Sequence, residues 1–84
     1  MLNCLIVCSS LTYAQRTAAV LERRGIPSSV VRTPSEYAVN GCGYSVRIQQ
    51  RNMERARIAL GEAGLSPLRI VTGLRSGQAG RGRL

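Results

Sequence analysis

The chain contains no histidine, aspartate, lysine, phenylalanine or tryptophan. Without His or Asp, the common acid–base pairs and catalytic triads cannot be assembled from its side chains, which points away from a conventional enzyme. Its three cysteines, Cys4, Cys8 and Cys42, stand at no zinc-like spacing, and a structural metal site would lack its usual second ligand type. No metal or other cofactor is therefore expected. An odd number of cysteines also argues against a disulfide scaffold and for a compartment that keeps thiols reduced. A phosphate-binding loop is missing as well, because Gly41-Cys42-Gly43 has neither the spacing nor the following helix. The apolar run Leu5–Val7 has no positively charged segment before it and is far shorter than a signal sequence or a membrane span, so a cytoplasmic protein away from membranes is expected.

What is present is small, aliphatic and basic. With 84 residues the chain can build one core, and a core of that size leaves stability thin, which makes a homodimer plausible. All twelve basic residues are Arg, against four Glu, for a formal charge of +8. A field of that sign attracts nucleic acid, acidic proteins or small anions without choosing among them.

The hydrophobic pattern predicts the elements. Leu2 to Cys8 is a nearly continuous apolar run and reads as a buried strand, with Ser9-Ser10 after it as a helix start. Leu11, Ala14, Ala18 and Leu21 recur at helical spacing and predict an amphipathic helix over 10–24, stopped by Gly25. Pro27 forces extension into a second strand at 28–32, and the stretch from Thr33 to Gly41 is rich in turn formers. Tyr44, Val46 and Ile48 alternate with Ser45, Arg47 and Gln49, the two-residue period of a strand with one face buried. A second amphipathic helix follows at about 51–63 and ends at Gly64, and Leu68 to Thr72 makes the last strand.

The order β-α-β-β-α-β, with residues 20–33 weakly echoed by 59–72, predicts an α+β ferredoxin-like split βαβ fold. Its four-stranded antiparallel sheet would carry both helices on one face. Residues 1–72 would form this domain, and 73–84, dominated by Gly and Arg, a disordered basic tail.

Topology then singles out a thiol. In this fold the first and third strands are antiparallel neighbours, so the end of the first, Cys8, lies beside the start of the third, next to Cys42. The first helix opens at the same rim, where its dipole favours a thiolate. Cys42 stands between two glycines that leave its sulfur open to approach, whereas Cys4 lies inside the apolar run and Cys8 is a candidate resolving thiol.

Thr33-Pro34, followed eight residues later by Cys42-Gly43 and then by Arg47 on a strand, resembles the family of putative selenium/sulfur carrier proteins. The resemblance extends through the apolar first strand, Ser9-Ser10 and Gly25-Ile26-Pro27, and covers roughly residues 3–72. It implies that Cys42 carries sulfur or selenium as a persulfide or perselenide, passed from a donor protein to an acceptor. On the same ground Ser9, Ser10, Thr33, Pro34, Gly41 and Gly43 surround the thiol. Arg47 is too far along its strand to activate it, about 16 Å at ~3.3 Å per residue, and suits a surface role, pairing with a Glu or binding a partner.

Two other readings compete. One is an RNA-binding module using Arg47, Arg51, Arg55 and Arg57, for which only Tyr13, Tyr37 and Tyr44 could stack bases. The other is a small-ligand or regulatory module that dimerises through its open sheet face, with Leu5, Val7 and Val71 as the patch.

Overall fold

The computed structural model describes residues 2–38 and 43–75. Six main elements follow in order: β1 (Leu2–Cys8), α1 (Leu11–Arg23), β2 (Ser29–Arg32), β3 (Tyr44–Gln49), α2 (Met53–Ala63) and β4 (Arg69–Arg75). Short 3₁₀ turns occupy Ser35–Tyr37 and Gln50–Asn52. The strands form one antiparallel sheet in the order β2-β3-β1-β4, which makes the fold the expected α+β ferredoxin-like arrangement.

β1 lies inside the sheet, between β3 and β4, and this position explains its unbroken apolar run. Cys4, Ile6 and Cys8 point to the helices and join Val46 and Ile48 of β3 in one buried cluster. Ala14, Val20 and Leu21 of α1 and Ala56, Ala59 and Leu60 of α2 complete it. Leu5 and Val7 alternate to the other face, yet are only 2% and 0% exposed. The long side chains of Arg47 and Arg69 occupy the positions paired across the sheet with Leu5 and Val7 respectively. The expected dimer patch therefore loses two of its three residues, because Leu5 and Val7 are already withdrawn from solvent within one chain.

The helix ends give the weak internal repeat a physical basis. At the end of α1, Gly25 adopts φ 75° and Ile26 N donates to Leu21 O at 3.0 Å. At the end of α2, Gly64 adopts φ 74° and Leu65 N donates to Leu60 O at 2.9 Å. Both are Schellman exits, with a left-handed glycine and a leucine-to-aliphatic contact closing the last turn. The exits also meet in space: Arg24 pairs with Glu62, and Arg55 Nη2 donates to Arg24 O at 3.1 Å. Both partners of the pair are well exposed, so it adds little stability.

β4 runs three residues beyond the expected end at Thr72, into the segment read as a tail. Between the pairs Leu5↔Val71 and Asn3↔Leu74, β4 carries one residue more than β1. Gly73, at φ 78°, takes up this bulge, and pairing resumes through Leu2↔Arg75. The glycine taken as the start of a tail is the residue that lets the strand continue. Residues 76–84 lie outside the described residues.

Candidate functional site

The rim where β1 ends gathers four chain segments. Cys8 pairs with Tyr44, placing the end of β1 beside the start of β3. Ser10 caps α1 at the same rim: its Oγ accepts from Tyr13 N at 3.1 Å, and its carbonyl accepts from Ala14 N at 2.9 Å. Just past the end of β2, Thr33 N donates to Gly43 O at 2.7 Å, and the Thr33 and Ser45 hydroxyls bond to each other. These contacts close the mouth of the loop that holds residues 34–42. Pro34 opens the 3₁₀ turn, its carbonyl accepting from Tyr37 N at 2.9 Å.

Cys42 and Gly41 lie outside the described residues. Gly43, the residue after Cys42, is half-buried at the mouth. Ser9, Ser10, Thr33, Pro34 and Gly43 are thus brought to one rim, as the topology requires. Arg47 is not. It lies four residues along β3 from Gly43, about 13 Å at ~3.3 Å per residue, on the face away from the helices.

The other two thiols are sealed. Cys4 and Cys8 are both 0% exposed, and burial pushes each above the ordinary thiol pKa because a thiolate would be desolvated there. For Cys8 this rise is partly offset by Thr17, whose Oγ1 lies 3.9 Å from Sγ. Cys8 shares the rim as expected, but period-two alternation sends its sulfur under α1, with Ile6. That position lacks both the exposure and the thiolate character of a resolving thiol.

Sequence reasoning missed Arg32. Its guanidinium stacks over the Tyr44 ring at 5.4 Å, and Nη1 donates to the Tyr44 hydroxyl at 3.4 Å. Nε stands 3.7 Å from the point where a Cβ on Gly43 would be. A cation is therefore held against the residue that follows Cys42. The signal was available: as the last residue of β2, Arg32 falls opposite Tyr44 once the β2–β3 register is set.

The groups required for RNA recognition are dispersed. Tyr44 points to the helix side and packs on the core, and the Tyr13 hydroxyl accepts from Ser66 N at 2.6 Å. Arg47 lies on the sheet face away from the helices, whereas Arg55 and Arg57 belong to α2, where they contact Arg24 O and Glu54. No helix among the described residues is long and apolar enough to cross a membrane.

A ferredoxin-like domain, with Cys42 in the connection from β2 to β3, is thus the class that the fold defines. The family model described as "Putative Se/S carrier protein-like" matches residues 3–72, and the chain belongs to that family. No curated protein and no solved structure matches it significantly.

Proposed function

We propose that the protein carries sulfur or selenium on Cys42, between donor and acceptor proteins of a reducing cytoplasm. The observation that carries this reading is the sealing of the alternatives. In a member of a carrier family with three cysteines, Cys4 and Cys8 are fully buried and their ionisation is disfavoured, which leaves Cys42 as the thiol to load. Support also comes from the cation of Arg32 beside Gly43 and from the start of α1 at the same rim, both of which favour a thiolate.

The transfer conserves redox state. The Cys42 thiolate attacks the outer sulfur of a donor persulfide, a new S–S bond forms as the donor's S–S bond breaks, and the donor leaves as a thiolate. Reversal onto an acceptor thiolate unloads the carrier. Selenium follows the same balance, with a perselenide on Cys42. A homodimer through the sheet face draws less support, since Leu5 and Val7 are covered within one chain.

The test is loading by a cysteine desulfurase with free cysteine, read by intact mass and peptide mapping. The parent and Cys8→Ser proteins gain one sulfur atom on the Cys42 peptide, and Cys42→Ser gains none. Loading of Cys42→Ser to the parent level refutes the proposal.

A further inference from the structure

The sheet is open along β4. This strand is last in the order β2-β3-β1-β4, and among the described residues no other strand pairs its outer side. It runs for seven residues, Arg69–Arg75, so alternate backbone N–H and C=O groups face outward there, the template that a further strand needs. Leu68 and Ile70 stand exposed at its start. The opposite edge, β2, offers only four residues.

A groove runs beside the open edge. It measures about 190 Å³ and lies between α2 and the start of β4, lined by Arg57, Leu60, Gly61, Leu65, Pro67 and Ile70. Ser66 completes the wall, fixed by the bond from its N–H to the Tyr13 hydroxyl at 2.6 Å. Ile70 pairs with Ile6 and so lies on the helix side of the sheet, and a strand added alongside β4 would set the side chain opposite Ile70 on that side too, over the groove. Gly61 leaves the space free. A glycine within a helix costs stability relative to alanine, yet the fold gives no reason for one here: its φ is not positive, and an added Cβ would meet nothing within 4 Å. The volume is below the 300 Å³ or so of small-molecule pockets and suits a single side chain.

Charge selects the occupant. β4 carries Arg69 and Arg75 and no acid, Arg57 lines the groove, and none of the four glutamates does. Arg57 reaches the exposed Glu54 at 3.8 Å, a pair worth little, and Arg69 makes no ion pair among the described residues. Arg69 pairs with Val7 and thus lies on the face away from the helices, as Arg47 does further in. A second copy of this chain fits poorly. Two β4 strands pairing antiparallel about Thr72 would set Arg69 opposite Arg75 twice, between chains of formal charge +8 each.

We infer that β4 docks an extended acidic segment of another protein as a fifth strand, an aliphatic side chain of that segment entering the groove beside Gly61 and its carboxylates meeting Arg69 on the opposite face. Main-chain hydrogen bonds supply the affinity, and the alternating side chains supply the selection.

The test is titration of the ¹⁵N-labelled full chain with the peptide acetyl-Val-Glu-Val-Glu-Val-Glu-Val-amide and with its counterpart carrying Arg for Glu, followed by amide shifts. The acidic peptide moves the amides of Gly61, Ile70, Val71 and Thr72, less so as salt rises, and the basic peptide moves none of them. Arg69→Glu weakens binding about tenfold, because opposite charges across the strands become like charges. Gly61→Leu fills the groove and abolishes the response, while its melting temperature holds or rises because leucine is the better helix former. Shifts that are absent, equal for the two peptides or undiminished in Arg69→Glu overturn the inference, and so does full binding by a folded Gly61→Leu. Movement of the same amides when the chain alone is concentrated would give the edge to a second copy and overturn it as well. The readout uses no thiol, so this inference and the carrier proposal fail separately.

Discussion

Alkylation of the native chain with iodoacetamide separates its thiols by the free energy of exposing them. Cys4 and Cys8 are 0% exposed on the inner strand of the sheet, paired on both sides, so reaching them requires nearly complete unfolding. At roughly 0.05–0.15 kcal/mol per residue, a chain of 84 residues has about 4–13 kcal/mol of stability. Even the lower bound suppresses reaction about 10³-fold, since each 1.4 kcal/mol is a factor of ten. The raised pKa of these thiols adds no second factor, because the opened chain that reacts has ordinary thiols. The assay is peptide mapping after cleavage at arginine, which places Cys4 and Cys8 on residues 1–16 and Cys42 on residues 33–47. Under native conditions label accumulates on 33–47 while 1–16 stays unlabelled, and in denaturant all three thiols react. Comparable labelling of the two peptides in the native chain would refute the reasoning, since a core that open could not single out one cysteine.

Two further outcomes follow from local geometry. Arg32→Gln raises the pKa of Cys42, read from alkylation rate against pH, while Arg32→Lys restores part of the shift; an unchanged profile shows that the guanidinium does not act on the thiol. Gly25→Ala and Gly64→Ala each cost about 1–2 kcal/mol in urea unfolding, a purely conformational loss since an added Cβ meets nothing within 4 Å at either site. A loss in only one of them would break the equivalence of the two helix exits.

Most of the fold was legible in the residues. The apolar run fixed β1 to its observed ends, alternation fixed β3, and Ser10 and Gly25 marked the limits of α1. The second helix began later than expected because Gln50–Asn52 form a 3₁₀ turn before α2. The extension of β4 was hidden because a glycine reads alike in a bulge and in a tail until its partner strand is known. The rim was also legible, but Cys8, read as a candidate resolving thiol, shares the buried face of Ile6 two residues earlier. Arg32 was passed over because its role emerges only when the β2–β3 register sets it opposite Tyr44, twelve residues away in sequence.

The clasp between Thr33 and Gly43, doubled by the paired hydroxyls of Thr33 and Ser45, lets residues 34–42 be exchanged as a cassette. Because both ends are anchored in the sheet, a grafted or lengthened insert there is expected to leave the scaffold intact, each doubling of length costing only about 0.6 kcal/mol of closure entropy. The stretch between Pro34 and Cys42 is accordingly expected to tolerate substitution without rebuilding the platform beneath.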